Sequence, residues 1–455
     1  MSKVSWSSDD SREVGYFSLR GKIGKRFPLI ERAEGVYIFD KEGRRYLDGS
    51  SGVVCVNIGY GVKEVNEAMR RQAEKTAYAP FSFESEPALK LAELITKLTP
   101  KPLRKVTFVS GGSEAVETAI KLARAYHLEN GDKTKYKVIS RWLSFHGNTL
   151  GALSATGYIM RRRPYEPLLQ DWPHIPPAYC YRCPYGKTYP DCDIDCALEL
   201  ERTIKRYGPE YISAFIAEPF VGTTAGCIYP PKEYFPIIRE TCDKYNVLFI
   251  ADEVMTGFGR TGKNFGIDHW NVTPDIMACS KGLGCGYTPI GCVIFTNKIY
   301  ETFSEGSKVF IHGFTYMSNP LSCAIAYAVI RYLLKNKLVE KSAELGETLG
   351  RKLNALYEHH KSIGDIRGKG LFYGVEFVQD RETKKPFPQE RNFAATLLDK
   401  AMDNGLVLYS GSKFLEGEVG DHVHISPPLV ITPPQIDELI ELFSKSLTDV
   451  EKNLL

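Results

Sequence analysis

The feature that most constrains this chain is a series of short apolar runs spread between residues 105 and 296. They read KVTFV (105–109), KVIS (137–140), YISAFIA (211–217), VLFIAD (247–252), DIMACS (275–280) and IGCVIFT (290–296). Each is too short for a typical helix and lacks polar alternation, as strands do when both of their faces are buried. Helix-like segments lie between several of them, among them SEAVETAIKLARAYH (113–127) and YFPIIRETCDKYN (234–246). Strands alternating with helices predict an α/β fold, a parallel sheet covered by helices.

Outside that core the texture changes. YIFDKEGRRYLDG (37–49) predicts a hairpin turning at Gly43, followed by a helix over residues 64–76. Beyond NPLSCAIAYAVIRYLLKN (319–336), a long helix, come IGDIRGKGLFYGVEFV (363–378), a helix near 392–404, GLVLYS (405–410) and a closing helix after Pro434. We expect three parts: a segment 1–65 packing with the small domain, a large domain 66–325, and a small α/β domain 326–455.

Composition excludes some functions. The 455 residues are 43% hydrophobic and 25% charged, ordinary for a soluble globular protein. A net charge of +3 lacks the electrostatic footprint of a nucleic-acid binder. The tract Arg161-Arg162-Arg163 reads as a solvated turn ahead of Pro164. No stretch approaches the ~20 apolar residues of a membrane span, and the first residues lack a signal-peptide core, so a cytoplasmic protein is expected. Eleven cysteines, mostly single within apolar segments, fit a reducing compartment. CYRCPYGKTYPDCDIDC brings Cys180, Cys183, Cys192 and Cys196 close in sequence. That invites an all-cysteine zinc site, but the spacing is shorter than the usual ribbon and the prolines suit an excursion that packs without metal, which is the expectation adopted.

In an open parallel sheet, ligands bind beyond the carboxyl ends of the strands. After KVTFV come Ser110, Gly111, Gly112 and Ser113, opening a helix. Small residues there let backbone N–H groups approach a phosphate, although Ser113 with Glu114 also reads as a simple cap. After KVIS comes SFHGNTLGALSATG, with Phe145 and His146. Asp252 and Glu253 end a buried strand, where Asp252 serves a ligand, caps a turn or pairs with Arg260. Lys281 ends another; burial disfavours its ammonium form and prepares a nucleophilic amine, while a lysine reaching back to solvent is the plainer reading. A phosphate cradle, an aromatic plate, a buried carboxylate and a buried lysine together suit pyridoxal 5′-phosphate.

The motifs VSGGSEAVETAIKLAR, FHGNTLGALSATG, AEPFVGTTAGCIYPP, LFIADEVMTGFGRTG, PDIMACSKGLGCGYTPIG and HGFTYMSNPLSCAIA resemble the class III, fold type I aminotransferases in order and spacing over nearly the whole chain. The resemblance implies a mostly parallel seven-stranded sheet covered by helices, with a smaller α/β domain. It implies Lys281 as the Schiff-base lysine, Asp252 as partner of the pyridine nitrogen, and Val254 and Phe145 against the two ring faces. Ser110 to Ser113 then hold the phosphate, His146 and Glu218 lie beside the cofactor, and Thr315 reaches the phosphate of a neighbouring subunit. A homodimer, or a tetramer built from it, follows from that last role, and no nucleic acid, membrane or metal is implied.

Departures bear on the substrate. Family members handling α-keto acids often grip the carboxylate with an arginine of the C-terminal domain, yet no arginine occurs from Asn392 to Leu455. Lys413 is the nearby cation of that region. Met255 stands where ornithine-type relatives have glutamine, which resembles the ω-amine:pyruvate branch. Val54 falls where a tryptophan often walls the pocket, leaving room for a bulkier amine, and Phe81 is placed with it in the substrate pocket. The expectation is a ping-pong aminotransferase taking an amine or ω-amino acid and a keto acid such as pyruvate; another class III reaction on the same scaffold is the alternative.

Overall fold

A computed structural model describes residues 27–411 and 420–454. The central sheet has strands β1 (Leu103–Val109), β2 (Lys137–Arg141), β3 (His174–Ile175), β4 (Ile212–Ala217), β5 (Leu248–Asp252), β6 (Ile276–Cys279) and β7 (Gly291–Thr296). They lie in the order β1-β7-β6-β5-β4-β2-β3. Strands β4 and β5 are buried at every position, which is why their sequences are continuously apolar.

Strand β7 is the exception in a sheet that is mostly parallel, as expected. It runs antiparallel to both neighbours, pairing Gly291 with Val109 and Cys292 with Cys279. The loop from β6 to β7 is too short for the crossover that a parallel connection needs. The other strands are parallel, with Ala217 beside Ala251 and Asp252 beside Ala278. The residues that follow β1, β2, β4, β5 and β6 therefore collect at one edge of the sheet.

Helices cover the faces. Gly112–Glu129 presents Ala115, Val116, Ala119, Ile120 and Ala123 to the sheet, all buried at helical spacing. Pro320–Lys335 starts where the Asn319 side chain accepts the Ser322 N–H at 3.0 Å. The C-terminal sheet contains Ile363–Lys369, Phe372–Phe377 and His422–Ile425, all antiparallel. Near the N-terminus, Ile30–Glu34, Tyr37–Asp40 and Arg45–Asp48 form a second small sheet. Of GLVLYS only Leu406–Val407 is strand, and it completes that second sheet by pairing in parallel with Arg45–Asp48.

Buried polar groups lock these parts together. The Glu376 carboxylate accepts from Arg182 Nε at 2.6 Å, Arg367 Nη1 at 2.8 Å and the Tyr179 hydroxyl. This ties the cysteine-bearing excursion to the C-terminal sheet. The four cysteines of the excursion line one small cavity as free thiols. Burial first, then its three thiol neighbours, push Cys196 up to about 12.

The triple-arginine tract needs correction. It is not a solvated turn: Ile159–Arg162 is helical, and Arg162 is buried. Its guanidinium satisfies the carbonyls of Leu153, Ser154 and Thr156 and pairs with Glu166 at 3.0 Å. A buried charge is tolerated when its donors are all engaged in this way. Among the described residues no helix is long and apolar enough to cross a membrane.

Candidate active site

Five strand ends, those of β1, β2, β4, β5 and β6, and the start of β7 build the cleft. At the end of β5, Asp252 is 3% exposed. Its Oδ2 lies 2.7 Å from His146 Nδ1 and its Oδ1 accepts the Val254 N–H at 3.1 Å. Asp252 therefore pairs with His146 and not with Arg260, which makes no ion pair among the described residues. Arg260 is buried and donates to the carbonyls of Leu371, Ser426 and Pro427, to Ser51 Oγ and to Asn57 Oδ1. Its two terminal nitrogens tie these chain segments together, while its Nε is buried without a hydrogen-bond partner.

Lys281 follows β6 and opens a single 3-10 turn, Lys281–Leu283. Its φ of 30° is left-handed, a conformation that costs a non-glycine residue energy and persists only where the surroundings impose it. Burial holds its amine below the ordinary lysine range, against the opposing pull of Cys55, Glu218 and Asp252. Burial of this kind favours the neutral, nucleophilic form of the amine. The Cys55 thiol reaches the Lys281 carbonyl at 3.7 Å.

Glu218, just past β4, is buried and accepts the Phe145 N–H at 2.9 Å and the Gly222 N–H at 3.3 Å. Burial pushes its carboxyl up to about 7, with the neighbouring Asp252 adding and His146 opposing. Phe145, half-buried, is thus fixed through its backbone beside Glu218. Met255 packs under the same loop, its sulfur accepting from Thr223 Oγ1 at 3.3 Å.

The turn after β1 sits between these parts. A Cβ added at Gly112 would meet Val254 Cγ1 at 3.0 Å and Ser280 Cβ at 3.7 Å, and one at Gly147 would meet Ser113 Oγ at 2.6 Å. A Cβ at Gly111, by contrast, meets nothing within 4 Å, so the turn is packed on one side and open on the other. The helix beginning at Gly112 leaves its first N–H groups without intrahelical partners. The Ser110 N–H is already taken by Glu114 Oε2 at 2.8 Å.

The remaining expected residues fall elsewhere. Val54 is buried at 1%, and its neighbour Cys55 is the residue of that segment which reaches Lys281. Phe81 is 75% exposed and Thr315 is exposed on an adjoining segment, where the Thr315 carbonyl accepts from Tyr78 at 3.2 Å. A single chain does not bring these two to Lys281. Lys413 lies outside the described residues. Sequence reasoning missed Cys55 and the role of His146 as a brace for Asp252, because neither contact has a local signature.

The family model Aminotransferase class-III matches residues 22–447. A putrescine–pyruvate aminotransferase of Pseudomonas aeruginosa is 37% identical over 92% of this chain and 90% of its own length. Among solved structures, an (S)-enantioselective omega-transaminase from Thermomicrobium roseum superposes with a TM-score of 0.91 at 37% identity, covering 98% of this chain and 99% of that one. A thermostable omega transaminase in which a tryptophan is replaced by glycine, described as engineered for enantiopure bulky amines, has a TM-score of 0.89 at 30% identity, covering 99% of this chain and 97% of that one.

Proposed function

The chain belongs to the class-III aminotransferase family, and from that premise we propose that it uses pyridoxal 5′-phosphate to move the amino group of an amine or ω-amino acid to a keto acid such as pyruvate. The observation that carries the reading is the convergence of Lys281, Asp252 and Glu218 beside an open turn of backbone N–H groups. When bound, the cofactor supplies an electrophilic aldehyde and an electron-withdrawing ring.

The residues fit that group. Gly111, Gly112 and Ser113 would hold the phosphate with unpaired N–H groups at a helix start. Asp252 would face the ring nitrogen, since each of its oxygens keeps a lone pair beyond the bonds to His146 and Val254. Phe145 and Val254 would bracket the ring. Lys281 Nζ, held toward its neutral form, would take the proton from the donor carbon and hand it to the cofactor in the first half of the cycle, and in the second half carry it from the cofactor to the acceptor carbon.

The substrate class is supported by the missing C-terminal arginine and by the relatives named above. A homodimer is supported by the apolar surface around Thr315, where Phe81, Ile311 at 86% exposure and Tyr316 lie open. Thr315 would then serve the neighbouring subunit's phosphate. Free thiols throughout support a cytoplasmic, reducing location.

The test is direct. Protein reconstituted with pyridoxal 5′-phosphate is mixed with a panel of amines, ω-amino acids and α-amino acids, with and without pyruvate, while alanine formation and the visible absorbance are followed. Amines or ω-amino acids should support alanine formation; reaction with α-amino acids alone would overturn the substrate class.

A further inference from the structure

An aminotransferase that accepts pyruvate must recognise a carboxylate, and the described part of this cleft contains few charges free to do so. Arg141 is buried and its guanidinium donates to the Glu218 carbonyl. Arg162 and Arg260 are buried, with Arg162 Nη1 and both terminal nitrogens of Arg260 committed to backbone and side-chain acceptors. Arg367 is shared between Asp365 at 2.6 Å and Glu376 at 2.8 Å. The buried histidines of the last C-terminal strand are held toward their neutral forms: burial brings His422 down to about 4 and His424 well below the ordinary imidazole range.

Arg161 is different. It is exposed, and among the described residues no carboxylate pairs with it. Its guanidinium carbon stands 5.3 Å from the centroid of the Phe145 ring. Phe145 is the aromatic plate bonded through its N–H to Glu218, so this cation lies beside the reacting centre. The same charge also acts on Tyr409 of the C-terminal segment, where burial pushes the hydroxyl up while Thr223 and Arg161 pull it down.

We propose that Arg161, resting on the Phe145 ring, is the group that recognises the carboxylate of the keto-acid acceptor, in place of an arginine from the C-terminal domain. A guanidinium keeps its five donors in one plane, stacks on an aromatic face without losing them, and pairs both oxygens of a carboxylate at once. The aromatic face also orders the side chain and lowers its hydration. Arg162 anchors the short helix beneath it, so that Arg161 is presented from a fixed base.

This inference rests on the amine-to-keto-acid reading, and its test separates the two. Holoenzyme carrying Arg161→Gln or Arg161→Lys is compared with the parent for kcat/KM toward pyruvate and toward propanal, which lacks the carboxylate, using one amine donor. The pyruvate-to-propanal ratio should fall about 10- to 100-fold in the glutamine variant, the scale of a lost charge-assisted hydrogen bond. The lysine variant should recover part of it. Independently, calorimetry should show a preference for propionate over propionamide that the glutamine variant lacks. An unchanged ratio, an equal fall for both acceptors, or a fall seen with Lys413→Met but not with Arg161→Gln would overturn the assignment. If the parent makes no alanine from any amine, the substrate reading fails, and the propionate comparison still decides Arg161.

Discussion

Replacing His146 by alanine asks how far the reactivity of the cleft depends on the brace behind Asp252. The Asp252 carboxylate is held by His146 Nδ1 at 2.7 Å and by the Val254 N–H at 3.1 Å. An ionised carboxylate can only accept, so the imidazole carries its proton on Nδ1. Nε2 of the same ring is buried without a partner, which leaves the bond to Asp252 as the ring's principal tie. A hydrogen bond to a charged group is worth about 1.5–3 kcal/mol. At ~1.4 kcal/mol per factor of ten, losing all of it from the transition state slows the reaction about 10- to 150-fold. Because Asp252 would act on the cofactor ring in both halves of the cycle, the amine and keto-acid half-reactions should slow together. Glutamine, whose amide can donate to the same oxygen, should restore part of the rate. The assay is the single-turnover rate of each half-reaction, with cofactor content and thermal midpoint measured in parallel. An unchanged rate at full cofactor content, or slowing of one half-reaction alone, refutes the reasoning.

Three further outcomes follow from the same geometry. Lys281→Ala should abolish turnover together with the visible absorbance of the bound cofactor; survival of both removes Lys281 from its role. Glu376→Gln leaves Arg182 without its carboxylate in a buried setting, and should lower stability by about 3–5 kcal/mol, read as a fall in the urea midpoint. Burial pushes the Glu376 carboxyl up, but Arg367 and Arg182 outweigh it and hold it below the ordinary range. Its contribution is thus present above the unfolded carboxylate value of about 4.3 and is lost as pH falls through the lower folded value, so the variant's acid-side loss should be shallower. Glu218 has the opposite sign: its carboxyl is raised to about 7, so the folded protein binds the extra proton. Stability from this group declines as pH rises from about 4.3 toward that value and is level above it, and Glu218→Gln should flatten the window; an unchanged thermal-midpoint slope between these pH values would count against it.

Reading the chain without its structure works best where chemistry and local pattern coincide. Lys281, Asp252 and the turn at Gly111–Ser113 each end an apolar run, and a strand that must be buried announces what stands at its end. The hairpin at 37–48 and the helix at 63–75 were legible for the same reason, since turn residues and helical spacing are local. Reading Arg161-Arg162-Arg163 as one solvated turn failed because charge alone does not reveal a supply of buried carbonyls. Leu153, Ser154 and Thr156 provide that supply for Arg162, whereas Arg161, one residue earlier, stays open over Phe145.

By itself the sequence determined the class of fold and the family and put forward Lys281 and Asp252 as nucleophile and carboxylate, because each rests on residue types at short spacing. Only the tertiary structure decided which groups act on one another: His146 on Asp252, 106 residues apart in the chain, Arg182 and Arg367 on Glu376, and Arg161 on the Phe145 ring. The physical reason is range. Periodicity and strand-end chemistry are written within a few residues, while a hydrogen bond between distant segments depends on how the sheet order and the domain packing bring their backbones together.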